Sequence, residues 1–412
     1  MNINSIKSIL TLRYDYTQIP TLQRLTWEDL EQKKEFSVED ITNQLTSHLY
    51  KQIPENYSGP ISISLSGGID SSLALCLLKQ NFPENQIDAI SIKFSDSIDE
   101  TETAAIIAKE VGVDHHIIEI DNFLEKLSDA ISITKLPFWD IHWIYVAENA
   151  KNFSNYLVSG DGGDELFGGY RYYGRLLWLQ RNIKIVPKPL LRLISKISQN
   201  HLPIGFTGKN WASALKVDFN SQLPHVTSFF DPIARRSLLE EHHFSSEPDE
   251  FFEKNVSDDQ HLIQRATRMD VTNFLPEDIL VKVDRSSMLN SLEVRAPFLD
   301  YKLVEYAFSE VPSSLKANHQ SKKIILKSLA KKLLPKEFDR DRKQGFSVPM
   351  NDWLKEEKWK NITYDILNDS PIYNKKFING LFKGISKGRN NGERLFGLTL
   401  FELWRKNNNL TL

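Results

Sequence analysis

The hydrophobic pattern changes character along the chain. From Ile61 onward, short apolar runs at 61–65, 87–94, 116–120 and 156–158 alternate with segments whose apolar residues recur at three- and four-residue spacing, at 72–79, 102–111, 123–133 and 144–151. Compact strands separated by helices are how a parallel α/β sheet reads, so this half predicts a doubly wound, mainly parallel sheet. Such sheets bind ligands beyond the carboxyl ends of their strands. After about residue 170 the strand-like runs stop and helical spacing recurs at 176–194, 262–273, 303–308 and 324–334, which predicts a largely helical C-terminal half. The stretch 196–259, rich in Ser, Asn, Pro and Asp, predicts irregular connections. Residues 1–55 are polar, hold the turn-prone Ile19-Pro20 and predict a helix only at 38–50, so they read as a lead-in to a main unit at 56–412.

Two of these strands run directly into glycine-rich loops. The first is Ser66-Gly67-Gly68-Ile69-Asp70-Ser71-Ser72, set between the first apolar run and a leucine-rich helix. Glycines there open backbone angles closed to other residues, and amides at a helix start form a nest for phosphate oxygens. Ser66, Ser71 and Ser72 add hydroxyl donors. Asp70 would repel phosphate unless a divalent cation bridged the two, which marks it as a magnesium ligand. The plain alternative is a Gly-Gly turn followed by an N-capping Asp or Ser. The loop lacks the GxxxxGK[ST] pattern, and no G-x-S-x-G elbow is present.

The second loop, Val158-Ser159-Gly160-Asp161-Gly162-Gly163-Asp164-Glu165-Leu166-Phe167-Gly168-Gly169-Tyr170, packs three acidic residues among five glycines. Acids at that density suggest a metal or proton-transfer site, the alternative being a solvated acidic loop. A third string runs from Glu277 to Met288 and on to Leu292-Glu293-Val294-Arg295-Ala296-Pro297-Phe298-Leu299-Asp300; its charges also fit helix-surface pairs at four-residue spacing.

The first loop resembles the PP-loop of ATP pyrophosphatases. With the later strings, in order and spacing, the chain from Ile61 to Trp353 resembles the synthetase domain of glutamine-dependent asparagine synthetases and their relatives, the β-lactam synthetases and lasso-peptide cyclases. The likeness includes Asp99-Glu100, His115-His116, Ser321-Lys322-Lys323 and 343–349. It implies an adenine nucleotide alpha hydrolase-like fold and an enzyme that uses ATP and Mg2+ to adenylate a small-molecule carboxylate, then joins ammonia or an amine to it; synthesis of asparagine from aspartate is the first expectation. It further implies that Leu65, Ile92, Ser159 and Gly160 surround the adenosine, that Asp70 and Asp164 hold magnesium, that Asp161 helps deprotonate the amine, and that Lys323 stabilises charge on the reacting carboxyl and phosphate. A lysine in a Lys-Lys pair is otherwise an ordinary solvated one.

The chain departs from the full family pattern at its front. No cysteine precedes Cys76, so the glutaminase nucleophile is missing, and residues 6–30 resemble the linker that normally follows the glutaminase. Nitrogen is then expected from free ammonia, a separate glutaminase subunit or an amine of the substrate. Before the second loop, Trp139, His142 and Trp143 stand where relatives commonly carry smaller residues, which leaves core packing or a reshaped acceptor pocket open; amidation of a sugar acid, natural product or peptide is the alternative reaction.

Composition narrows the rest. The 412 residues are 41% hydrophobic and 25% charged, enough for a full core. A formal net charge of -3 supplies no broad basic field, so nucleic acid and membrane are not expected as main partners, and any positive site must be local. Neither a basic face nor extra cysteines support tRNA modification. One cysteine and no leader-like apolar stretch fit a cytoplasmic protein. Cys76, among leucines, reads as an inert core residue. A homodimer is left open, as is a non-catalytic scaffold, although the retained Asp70, Asp161, Asp164 and Lys323 speak against the latter.

Overall fold

The computed structural model describes residues 3–18, 57–94, 101–121, 126–135, 142–217, 229–239, 261–335 and 349–410, with single positions at 39, 43, 46, 53, 137, 223 and 338. Among the described residues five strands, β1 Ile61–Ser64, β2 Ile87–Phe94, β3 Asp114–Ile120, β4 Tyr156–Val158 and β5 Glu293–Arg295, make one sheet. Their order is β3-β2-β1-β4-β5 and every pairing is parallel. Because side chains alternate across a strand, each face receives its own set. Ile61, Ile63, Ala89 and Val158 pack with helices Ile69–Asn81, Thr101–Val111, Tyr301–Ser309 and Ile324–Leu333. On the other face Ile90, Ile92, Phe94 and Leu157 pack with helices Leu127–Thr134 and His142–Ala150. The expected doubly wound sheet is therefore present.

This order places a topological switch between β1 and β4: the chain leaves β1 toward β2 and β3, then returns to build β4 and β5 on the opposite side. The crevice beyond the strand ends at such a reversal is where ligands bind in open α/β sheets. Both glycine-rich loops open into it, one after β1 and one after β4.

Four expectations need correction. β5 was not expected, since Glu-Val-Arg is no apolar run; it is a strand because Tyr156, Leu157 and Val158 pair with Glu293, Val294 and Arg295. The predicted helix 176–194 is two, Arg171–Ile183 and Lys188–His201, separated at Pro187, which caps the second. The predicted helix 262–273 is Leu262–Met269 continued by an eleven-residue π-helix, Asp270–Leu280, with Pro276 inside it. Proline removes a donor and crowds the preceding turn, which a wider helix relieves. The stretch 196–259 is partly helical, with Lys209–Ser213 and Pro232–Leu239.

The lead-in also belongs to the core. Helix Ile3–Leu12 buries Ile6, Ile9 and Leu10 against Phe230, Leu238, Ile378 and Phe401. Of the helix predicted at 38–50, only Glu39, Asn43 and Thr46 are described, and each is helical. Cys76 is buried, and burial pushes its thiol up to about 11, as expected of an inert core residue.

Candidate active site

The first loop is anchored on both sides. The Leu65 amide donates to Ile90 O at 2.9 Å, and the Ser91 hydroxyl donates to Leu65 O at 2.6 Å while its oxygen lies 2.8 Å from His115 Nε2. Gly67 then takes φ 70°, a left-handed conformation that favours glycine. Helix Ile69–Asn81 begins at Gly68 without a side-chain cap. The hydroxyls of Ser66 and Ser71 lie 3.2 Å apart, and Ser72 Oγ donates to Gly68 O at 2.7 Å. Neither Asp70 nor the serines cap the helix, so the plain capping alternative fails; the Asp70 carboxylate bonds the Lys323 ammonium instead.

The second loop lies directly on the first, and its glycines are what allow it. A methyl on Gly160 would stand 2.8 Å from Ser71 N, and one on Gly163 would stand 2.4 Å from Asp70 Cγ. A methyl on Gly169 would fall 1.6 Å from Asp164 Oδ1 and 2.2 Å from Lys323 Cε. Two backbones thus close to a distance no side chain tolerates, and Asp70, Asp164 and Lys323 meet between them.

Lys323 arrives from a third element. Asn318 accepts through its side-chain oxygen from the amides of Gln320 and Ser321, at 2.9 and 2.7 Å, closing a tight turn bridged by Ala317 and Lys322. Lys323 follows at φ 50° and ψ 40°, a left-handed conformation uncommon outside glycine, and caps helix Ile324–Leu333. That backbone aims its ammonium at both carboxylates, 2.8 Å from Asp164 Oδ1 and bonded to Asp70 Oδ2. Its side chain is only 10% exposed, which removes the ordinary solvated-lysine alternative. Burial by itself would lower its pKa, but Asp164 and Asp70 together outweigh that and hold the ammonium above its usual value.

The three acids of the second loop do not act as one cluster. Asp164 joins Asp70 at Lys323, whereas Asp161 accepts from the Ser159 hydroxyl at 2.9 Å. Glu165 turns inward, 2% exposed, and accepts from Tyr170. Next to it Tyr172 and Tyr173 both donate to Asp270, the first residue of the π-helix. Sequence reasoning missed this tyrosine and carboxylate group, although the Tyr170-Arg171-Tyr172-Tyr173 run after Gly169 was its visible signal. Burial, and then the Asp164 charge, push Glu165 from 4.5 up to about 8; burial, against the two tyrosine hydrogen bonds, pushes Asp270 from 3.8 up to about 6.

A pH dependence follows from Glu165. Between pH 4.5 and about 8 the folded protein keeps a proton that the unfolded chain has lost, so this group costs stability as pH rises through that window. Glu165→Gln removes the cost while keeping an acceptor for Tyr170. Thermal unfolding should show the variant gaining on the unsubstituted protein from pH 5 to pH 8; a constant difference across that range would contradict the assignment.

Among the described residues no three of His, Cys, Asp and Glu gather to cage a metal ion. Asp70 and Asp164 nevertheless present hard oxygens around a single cation, and magnesium is commonly held by one or two carboxylates plus substrate phosphates. The expected magnesium pair therefore fits the residues present. Leu65, Ser159 and Gly160 lie at the carboxyl ends of β1 and β4, and Ile92 near that of β2. Of the charges in the third string, Glu277, Asp278 and Lys282 are buried, whereas Asp284 is exposed. Trp143 packs in the core, as the packing alternative had it. Asp99, Glu100, Trp139 and residues 343–348 lie outside the described residues.

The asparagine synthase family pattern matches residues 56–406. The chain belongs to that family. Among asparagine synthase relatives it is 26% identical over 361 residues to asparagine synthetase [glutamine-hydrolyzing] 1 of Bacillus subtilis (strain 168), covering 85% of this chain and 56% of that protein. It is 26% identical over 394 residues to a putative asparagine synthetase [glutamine-hydrolyzing] of Mycobacterium tuberculosis (strain ATCC 25618 / H37Rv), covering 90% and 59%. It is also 25% identical over 339 residues to the amidase chry2 of Gibberella zeae, covering 71% and 50%. The chain thus spans about half the length of these relatives. No helix among the described residues is long and apolar enough to cross a membrane.

Proposed function

We propose that this asparagine synthase family member is an ATP-dependent, amide-forming carbon–nitrogen ligase. The observation that carries the reading is Lys323 held between Asp70 and Asp164 in the crevice where β1 and β4 diverge. In the first step a carboxylate oxygen attacks the α-phosphorus of ATP, the bond to the β-phosphate oxygen breaks, and pyrophosphate leaves. In the second, ammonia or an amine attacks the acyl carbon, AMP departs, and the nitrogen gives up a proton.

Each residue has a task in this sequence. The amides and hydroxyls of Ser66 to Ser72 grip the pyrophosphate oxygens, and Leu65, Ile92, Ser159 and Gly160 surround the adenosine. Asp70 and Asp164 hold Mg2+, which when bound offsets phosphate charge. Lys323 stabilises the negative charge that builds between carboxylate and phosphate, where a preorganised cation is most effective. Asp161, oriented by Ser159, receives the ammonium proton.

Aspartate with ammonia is the first substrate pair, in keeping with the names of the bacterial relatives. The match to a protein named an amidase favours, as a second reading, a carboxylate other than aspartate. Nitrogen comes from free ammonia, a partner glutaminase or the substrate's own amine. The test is pyrophosphate release by the full chain with ATP, Mg2+ and a panel of carboxylates including aspartate, with and without ammonia. Release with aspartate that yields asparagine supports the first reading, release with another carboxylate the second, and silence across the panel supports a scaffold.

A further inference from the structure

Helix Lys188–His201 is built inside out. The flank packed against the protein carries Leu191, Ser195 and Ser198, whose hydroxyls serve the neighbouring helix: Ser195 Oγ donates to Ser213 O at 2.6 Å and Ser198 Oγ to Lys209 O at 3.0 Å. The larger apolar residues face outward instead. Leu190, Leu193, Ile194 and Ile197 lie within about 100° of one side of the helix, and all four are exposed, Leu193 by 52% and Ile197 by 48%. Ile185 before the helix, Phe206 after it, and Trp178, 59% exposed, enlarge the same class of surface. A helix normally buries such a stripe, and exposed apolar patches of this kind mark interaction sites.

Charge identifies the occupant. From Leu166 to Val217 the chain has no Asp or Glu but nine Lys or Arg, in a protein whose formal net charge is -3. Lys188, Arg192 and Lys196, spaced four apart and all exposed, form a basic stripe roughly opposite the apolar one, with Arg181 and Lys184 also exposed just before. A helix with exposed Leu and Ile on one side and Lys and Arg on the other is suited to lie in a lipid headgroup layer of negative charge.

We propose that the outward face of helix Lys188–His201 docks on an anionic lipid bilayer, the helix lying in the membrane plane. The low overall net charge conceals this site because the basic residues are local. The full chain should float with vesicles of phosphatidylcholine and phosphatidylglycerol, not with phosphatidylcholine alone, and added salt should weaken the association. Leu193→Glu with Ile197→Glu should weaken it by about tenfold or more, and neutralising Lys188, Arg192 and Lys196 by about a hundredfold. Circular dichroism of both variants should be unchanged.

Flotation that persists in both variants overturns the proposal. So does its absence at low salt: a dimer that Leu193→Glu dissociates would then assign the face to a second copy, and a monomer would assign it to a protein partner.

Discussion

Replacing Asp70 by Asn is expected to lower pyrophosphate release by about a thousandfold or more, leaving the fold intact. The carboxylate lies against the Cα of Gly163 and bonds the Lys323 ammonium, so the space it fills admits an isosteric amide. What Asn lacks is charge. Under the proposed roles it can neither hold Mg2+ against the phosphates nor balance Lys323, and adenylation stops. Asp161→Asn is expected to behave differently: Asp161 bonds Ser159 rather than Lys323, so adenylation should continue while amide formation slows by about 10² to 10⁴. Measuring pyrophosphate release and amide formation separately in the two proteins decides the matter. Equal loss of both half-reactions in Asp161→Asn would end its assignment as the proton acceptor, and substantial pyrophosphate release by Asp70→Asn would end the cation role.

The parts of this molecule that were legible in its sequence are those whose physics is local. The runs at 87–94 and 156–158 match β2 and β4 residue for residue, because strands covered on both faces are rich in apolar residues, with Asp88, Ser91 and Lys93 the exceptions in β2. Both loops were legible because the close approach of their backbones demands glycine. What stayed hidden depends on partners distant along the chain. β5 is a strand only because β4 lies beside it, and the π-helix widens around Pro276 within a packed interior. The divergence of Asp164 and Glu165, adjacent in sequence, into an ion pair with Lys323 and a hydrogen bond with Tyr170 is a matter of helix geometry that acidic density alone does not reveal. The inverted helix misled in another way. Its serines made the following stretch look irregular, while they bond the backbone of a neighbouring helix.

Lys323→Met should damage stability as well as turnover. Methionine keeps much of the length and apolar stem of lysine but leaves Asp70 and Asp164 facing each other without a cation. Breaking a buried ion pair from one side costs about 3 kcal/mol or more, and here two carboxylates lose the same partner. Pyrophosphate release should fall by about a thousandfold. Arginine should not rescue it, because the Cβ that Gly169 lacks would lie only 2.2 Å from Lys323 Cε, and a branched guanidinium needs more room than this packing leaves. The variant also offers a readout that does not depend on turnover. If the two carboxylates are a cation site, Mg2+ should raise the thermal midpoint of Lys323→Met more than that of the unsubstituted protein, since in the variant the ion no longer competes with a resident ammonium. Near-normal pyrophosphate release by Lys323→Met, or a thermal midpoint indifferent to Mg2+ in both proteins, would remove Lys323 and its two carboxylates from the centre of the proposed reaction.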